Sequence, residues 1–171
     1  MRISALIDSI SDWTGRLVCW LIIPQILALV YEVISRYIFN SPTLWSYDVT
    51  YMIYGTHYLM GAGYTLLVKG HIKVDIFYNK MPPLWQAIVH LVCYLIFFFP
   101  VIMTLTYEGV DFAYIAWAIG ERSLQSPWRP VLFPFKGIIA VSFFLLFLQG
   151  TSEFIRLLTS VGKKGVRTTY E

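Results

Sequence analysis

The chain has 171 residues, of which 57% are hydrophobic and 13% are charged, and its formal net charge is +3. Soluble domains carry about 25% charged residues, so this composition excludes an ordinary water-soluble fold and indicates a protein solvated largely by lipid. It also lacks the basic stripe with interleaved aromatic residues that nucleic-acid binding requires, and we predict no nucleic-acid partner.

The segment at about residues 2–14 carries apolar side chains at helical spacing. Ile3, Leu6 and Ile10 fall on one side of a helix, with serines and aspartates on the other, a pattern typical of an amphipathic helix on a membrane surface. We predict an N-terminal interfacial helix here, with a frayed terminus as the alternative. Gly15 is then expected to turn the chain into the first membrane helix.

Four apolar stretches are long enough to cross a bilayer. A helix needs about 20 apolar residues to span a hydrocarbon core ~30 Å thick, and a backbone in lipid must satisfy its own hydrogen bonds. We therefore predict an all-α integral membrane protein in which residues 1–171 form a single domain, a bundle of four transmembrane helices. These helices are predicted at about residues 17–39, 46–68, 84–106 and 136–157.

The distribution of basic residues predicts the orientation of these helices. Loops rich in Lys and Arg are retained in the cytoplasm, and nine basic residues fall on the side of the two termini, against four on the other side. Both termini are therefore predicted to be cytoplasmic. In the inner loop, Lys69, Lys73 and Lys80 are expected to contact the head groups of membrane phospholipids.

Three charged residues lie near the outer ends of the first two membrane helices. Glu32 and Arg36 are four residues apart and can pair on one helix face, and Asp48 opens the next helix at a similar depth. We predict a partly buried ionic cluster that ties the first hairpin together. An ion or substrate pathway is the alternative, because charges within membranes are often functional.

Polar and small side chains also occur deeper in the second helix. His57 lies near its midpoint, and Gln25 on the first helix has a similar depth, so the two are expected to help hold the helices together through polar contacts. A proton relay is the alternative for His57. Gly55, Gly61 and Gly63 form a small-residue face whose neighbour the sequence does not identify.

The outer segment at about residues 107–135 is the longest one outside the predicted helices. Its first part is expected to continue as a helix or to lie on the outer surface, and its second part contains many helix breakers around Trp128 and Arg129. These two residues are the predicted periplasmic contact. On the last helix, a polar stripe is formed by Gln149, Glu153 and Arg156. We predict that it is a solvated helix end, with docking onto a partner as the alternative.

The sequence contains no nucleophile motif, phosphate loop, metal-ligand cluster or pair of catalytic carboxylates. We therefore predict that the protein is not an enzyme and that it binds no metal or cofactor. A haem held by His57 and His90 is disfavoured, because their predicted depths differ by about 7.5 Å.

Two longer stretches combine several of these residues into motifs. The first reads Glu32-x3-Arg36-Tyr37-x-Phe39-Asn40-x-Pro42-x2-Trp45-x2-Asp48, and the second reads Gly61-x2-Tyr64-x5-Gly70-His71-Ile72-Lys73-Val74-Asp75. Both resemble signatures of the small, DctQ-like permease subunits of tripartite ATP-independent periplasmic (TRAP) transporters. The segment from Ser126 to Lys136 is similar to the branch associated with mannitol and chloroaromatic compounds. Asp48 departs from the glutamate expected in many members, since the carboxylate is kept but shortened.

The resemblance implies a role for the chain. In this family the small subunit joins a large multi-spanning permease subunit in the bacterial inner membrane, and a periplasmic solute-binding protein delivers a carboxylate-type solute for sodium-driven uptake. The small subunit widens the static scaffold of an elevator mechanism. The alternative is a stand-alone homo-oligomeric transporter or channel. Structural or interface roles are expected for Glu32, Arg36, Asn40, Pro42, Trp45, Asp48, His57, Gly70, His71 and Asp75.

Overall fold

The computed structural model describes residues 2–70 and 82–162, and these residues are helical apart from the connections. No strand occurs among them, so the prediction of an all-α fold is confirmed for this part of the chain. The helices, named here in chain order, are α1 (Arg2–Cys19), α2 (Ile22–Tyr37), α3 (Ser46–Leu67), α4 (Pro83–Cys93), a π-helical turn (Tyr94–Phe98), α5 (Phe99–Ala118) and α6 (Phe133–Gly162).

Three helical stretches in the described residues are long and apolar enough to cross a membrane. They are Ser4–Tyr37, Trp85–Ala118 and Phe133–Thr159. The helix α3 has 22 residues but is not among them, because its tyrosine, threonine, glycine and histidine residues lower its hydropathy. The predicted count of four membrane spans therefore stays a prediction.

The first interruption of helical structure comes at Trp20–Leu21 rather than at Gly15, which lies inside α1. The prediction that Gly15 turns the chain was wrong. The cause of the break is Pro24, which has no N–H to donate to the Trp20 carbonyl four residues earlier and whose ring crowds that carbonyl. The Trp20 carbonyl instead accepts a hydrogen bond from the N–H of Ile23 at 3.2 Å.

A second proline shapes the long helical segment that leads from α4 to α5. Pro100 cannot donate to the carbonyl four residues before it, and the π-helical turn Tyr94–Phe98 lies directly upstream. The helix then continues through residues 107–118, so the first part of the predicted outer loop is helical. It ends at Ala118, and the φ of +60° at Gly120 lets the N–H of Glu121 reach the carbonyl of Ala116 at 2.9 Å.

The helix α6 is the central element of the packing. It contacts α5, α3 and α1, while α2 packs against α3. The largest fully buried side chains are polar, and the exposed faces of α2, α4 and α5 are rich in isoleucine, leucine and valine. This distribution is the reverse of the one in a soluble protein and is the one expected of helices that face lipid or other apolar helices.

Gly15 is required for the close approach of α1 to α3. A Cβ atom built at Gly15 would lie 2.4 Å from Cγ and 2.5 Å from Cβ of Tyr64, and neither of those atoms is the free end of a side chain. Gly15→Ala is therefore expected to lower the free energy of unfolding by about 1–3 kcal/mol, measured as a lower unfolding midpoint in detergent.

A matched control for this substitution lies on α6. A Cβ at Gly137 would meet no atom within 4 Å, so Gly137→Ala should leave stability unchanged or raise it by about 0.5–1 kcal/mol through its better helix propensity. A rise in the midpoint for both variants would contradict the packing described for Gly15.

Candidate functional site

The carboxylate of Glu32 fastens the first hairpin. Its Oε1 accepts a hydrogen bond from Nε of Arg36 at 2.9 Å, and its Oε2 accepts one from the backbone N–H of Thr43 at 3.1 Å and another from the Thr43 hydroxyl. The Glu32 side chain is 14% exposed, whereas that of Arg36 is 55% exposed. Glu32 thus joins the end of α2 to the loop that follows, and Arg36 covers it from the outside.

The turn after α2 depends on Asn40, which has a φ of +50°. Asparagine tolerates this left-handed conformation better than most residues, and across it the N–H of Ser41 donates to the carbonyl of Ser35 at 2.9 Å. The indole of Trp45 then stacks on Tyr31 with the ring centroids 5.8 Å apart.

The turn borders a groove of about 580 Å³ at the end of the hairpin where α2 and α3 are connected. Trp128, from the loop before α6, also lies along this groove, so the structure brings together two predicted site residues of the hairpin and one of the outer loop. Arg129 is exposed and has a φ of +47°. The groove is lined by Tyr31, Ile34, Ser35, Phe39, Ser41, Pro42, Thr43, Leu44, Trp45 and Trp128.

Asp48 does not join the Glu32–Arg36 pair. It lies in the first turn of α3 and is 1% exposed. Its Oδ1 accepts a hydrogen bond from the Ser123 hydroxyl at 2.6 Å, and its Oδ2 accepts one from the hydroxyl of Ser126. The predicted single ionic cluster is therefore two separate sites, and Asp48 serves to hold the outer loop against α3. The helix N-terminus favours the negative charge at this position.

The outer loop is held at its base by a second set of contacts. The N–H of Leu132 donates to the carbonyl of Glu121 at 3.0 Å, and Nζ of Lys136 lies 2.5 Å from Oε2 of Glu121 and 3.5 Å from the ring centroid of Phe112. Lys136 is buried, although the sequence reading counted it only as an outer charge. Lys136 and Glu121 are 15 residues apart in the sequence, so no local spacing signalled this pair.

A cavity of about 460 Å³ lies between this loop and the helices. Its wall combines charged side chains with tyrosine and phenylalanine rings. It is lined by Tyr47, Asp48, Tyr51, Phe112, Glu121, Arg122, Ser123, Leu124, Gln125, Leu132, Phe135, Lys136 and Ile139.

The polar stripe on α6 docks onto α1 of the same chain. Gln149, which is fully buried, accepts a hydrogen bond from the Ser11 hydroxyl at 2.7 Å and donates one to Oδ1 of Asp8 at 3.1 Å. The Ser152 hydroxyl also donates to Asp8 Oδ1, and Arg156 pairs with the other oxygen of Asp8. The prediction of a solvated helix end is therefore wrong for Gln149, which packs against the N-terminal helix of the same chain.

Other predicted site residues are not brought together. No hydrogen bond joins Gln25 to His57 in the described ranges, and Oε1 of Gln25 is buried there without a partner. At the end of α3, Lys69 has a φ of +55°, and the N–H of Gly70 donates to the carbonyl of Thr65 at 2.9 Å. His71, Lys73, Asp75 and Lys80 lie outside the described residues.

The glycines of the small-residue face of α3 lie in two different environments. Gly55 approaches Phe135 of α6, and Gly63 lies near the backbone of Leu145 on the same helix. A Cβ at Gly61 would meet no atom. Among residues 2–70 and 82–162 no group of three or more His, Cys, Asp or Glu side chains is placed to hold a metal ion.

The role of Glu32 leads to a prediction at one backbone amide. Glu32→Ala removes the acceptor for the Thr43 N–H, so hydrogen exchange at that amide should accelerate by about tenfold, as expected for losing a hydrogen bond to a charged group. Arg36→Ala leaves both Thr43 contacts in place and should have a much smaller effect. Equal acceleration in the two variants would show that the ion pair, rather than the loop contact, fastens the turn.

Comparison with known proteins gives one match and one negative result. Residues 25–160 match the family described as tripartite ATP-independent periplasmic transporters, DctQ component. No match is found among curated proteins. The matched region covers most of the chain, including both hairpin sites and the polar stripe of α6, and the chain belongs to the DctQ component family of tripartite ATP-independent periplasmic transporters.

Proposed function

We propose that the chain is the static small subunit of a TRAP transporter and packs beside a large permease subunit in the bacterial inner membrane. The large subunit carries the sodium and solute sites, and a periplasmic solute-binding protein delivers a carboxylate-type solute. The chain's own residues then serve to widen and brace the scaffold against which the large subunit moves.

The observation that carries this proposal is how four charged residues of the helices are used. Each of them contacts a side chain of the same chain, and the four are Glu32, Asp48, Lys136 and Asp8. A residue on a transport path must exchange its ligand during each cycle, whereas these groups connect a helix to a loop or to another helix. Such contacts favour bracing over conduction.

We also propose that the chain crosses the membrane four times, with both termini in the cytoplasm. The segment Pro83–Ala118 would be about 54 Å long at ~1.5 Å per residue, which exceeds a core of ~30 Å, so its last turns would extend beyond the outer surface. Leu6, Ile10 and Trp13 are exposed on α1, and their apolar side chains suit contact with lipid at the inner surface.

Complex formation tests the proposed function. An affinity-tagged chain, produced together with the large permease subunit of the same transporter, should retain that subunit through purification in mild detergent. Reporter fusions at Leu124 and in the loop after Gly70 should report the periplasm and the cytoplasm, respectively. Recovery of the chain as a homo-oligomer without the large subunit would favour a stand-alone transporter instead.

A further inference from the structure

The helix α3 presents a row of tyrosine side chains to the outside of the bundle. Tyr47, Tyr51, Tyr54 and Tyr58 are spaced by four, three and four residues, which places them on one helix face. Their exposed fractions lie between 51% and 69%. Two pairs of rings stack along the helix, with centroids 6.5 Å apart for Tyr47 and Tyr51 and 6.1 Å apart for Tyr54 and Tyr58.

The same face continues with small residues toward the inner end of α3. Gly61 and Thr65 follow Tyr58 at spacings of three and four, and the space beside Gly61 is open. The hydroxyl of Thr65 is turned back to the carbonyl of Gly61 at 3.0 Å, so it adds little bulk to the surface. Small residues four apart let a second helix approach closely. We call the six residues Tyr47, Tyr51, Tyr54, Tyr58, Gly61 and Thr65 the tyrosine face.

The depth of the tyrosines argues against lipid as their neighbour. Tyrosine is favoured where a membrane meets water, and this accounts for Tyr47 at the start of α3. Tyr54 and Tyr58 lie on either side of the middle of the helix, about 12 and 18 Å along it from Ser46, where a phenolic hydroxyl does not reach the interface. Hydrocarbon chains offer such a hydroxyl no hydrogen bond.

The exposed faces of the other long helices have a different chemistry. On the π-helical turn and α5 the exposed side chains near mid-helix include Phe97, Val101 and Leu105, and on α2 they include Leu27 and Val30. These side chains need no hydrogen-bond partner and suit lipid. Within the described part of the chain the hydroxyls of Tyr54 and Tyr58 have no hydrogen-bond partner, and their described contact is with each other's rings.

We propose that the tyrosine face is the surface of this chain that packs against a membrane helix of the large permease subunit. That helix approaches closely at Gly61 and accepts hydrogen bonds from Tyr54 and Tyr58 through backbone carbonyls or through serine, threonine, asparagine or glutamine side chains. This inference rests on the proposed function and adds to it the contact surface and the chemistry of the partner helix.

Hydroxyl deletion tests the hydrogen bonds. The double variant Tyr54→Phe and Tyr58→Phe keeps both rings, and it should retain about tenfold less large subunit through a detergent wash, as expected for two interhelical hydrogen bonds. Tyr107→Phe removes a hydroxyl from an exposed tyrosine of α5 and should retain the large subunit fully. The unfolding midpoint of the double variant should also be measured without the large subunit. An unchanged midpoint would show that the two substitutions do not destabilise the chain itself.

A photo-reactive amino acid at position 58 tests the identity of the neighbour. Irradiation in native membranes should join the chain to the large subunit, whereas the same group at position 97 should give lipid adducts. Lipid adducts at position 58, a cross-link to a second copy of the chain, or full retention of the large subunit by the double variant would each overturn the inference. If the unaltered chain retains no large subunit at all, the proposed function itself fails. If the unaltered chain retains it but the tests at positions 54 and 58 fail, only the tyrosine face is wrongly assigned.

Discussion

Asp48→Ala is expected to release the outer loop from α3 and to lower the free energy of unfolding by about 2–4 kcal/mol. The substitution removes the acceptor of two hydrogen bonds from Ser123 and Ser126, and hydrogen bonds to a charged group contribute about 1.5–3 kcal/mol each. It also removes a negative charge that the N-terminus of α3 stabilises. Both effects act on a fully buried side chain, so water does not replace the lost partners readily.

The loop contains a protease site that reports its release. Trypsin cleaves after Arg122, and the next residue is Ser123, which Asp48 holds. Cleavage of this bond in the detergent-solubilised protein should be slow in the unaltered chain and markedly faster in the Asp48→Ala variant. Asp111→Ala is the matched control, because Asp111 is exposed on α5 and its removal changes the net charge by the same amount. Equal cleavage rates in both variants would contradict the anchoring role of Asp48.

The hydroxyl partners permit a second check on the same anchor. Replacing both Ser123 and Ser126 by alanine should loosen the loop nearly as much as Asp48→Ala does. Adding Asp48→Ala to that double variant should then have little further effect, because the interaction is already lost. If the effect of Asp48→Ala instead adds fully to that of the double variant, Asp48 must stabilise the chain through contacts other than those with Ser123 and Ser126.

The second large effect is expected at the contact between α1 and α6. Asp8→Ala removes the acceptor shared by Gln149, Ser152 and Arg156 and leaves buried donors without partners. We expect a loss of about 2–4 kcal/mol, together with faster hydrogen exchange along α1 because the helix is no longer fastened to α6.

A neighbouring aspartate on α1 provides the control. Asp12 pairs with Arg16 at 2.9 Å on the exposed side of the helix, and such a surface pair contributes at most about 0.5 kcal/mol. Asp12→Ala should therefore leave both the unfolding midpoint and the exchange along α1 almost unchanged. Similar losses of stability in the two variants would mean that the removal of a negative charge from α1, rather than the loss of the contact with α6, explains the effect of Asp8→Ala.

Local pattern predicted those features of the molecule that depend on a few neighbouring residues. Hydropathy located the helices α2, α3 and α6 to within several residues, and the four-residue spacing of Glu32 and Arg36 predicted the pair that the structure contains. Both inferences follow from helix geometry alone, since the partners lie within one turn of each other.

Local sequence pattern could not identify the partners of Asp48 and Asp8. Asp48 bonds to residues 75 and 78 positions away, and only the fold brings them together. For α1 the sequence predicted one polar and one apolar face but did not specify which face meets the protein. The structure has the polar face, with Asp8 and Ser11, turned toward α6, because buried polar side chains of α6 require partners there.

Solute uptake by reconstituted vesicles tests the central claim, that this chain braces a transporter without transporting by itself. Vesicles should be prepared with this chain alone, with the large permease subunit alone, and with both, each in the presence of the binding protein, a sodium gradient and a labelled carboxylate solute. Uptake is expected only when both membrane subunits are present. Sodium-dependent uptake by vesicles that contain this chain as their sole membrane protein would contradict it.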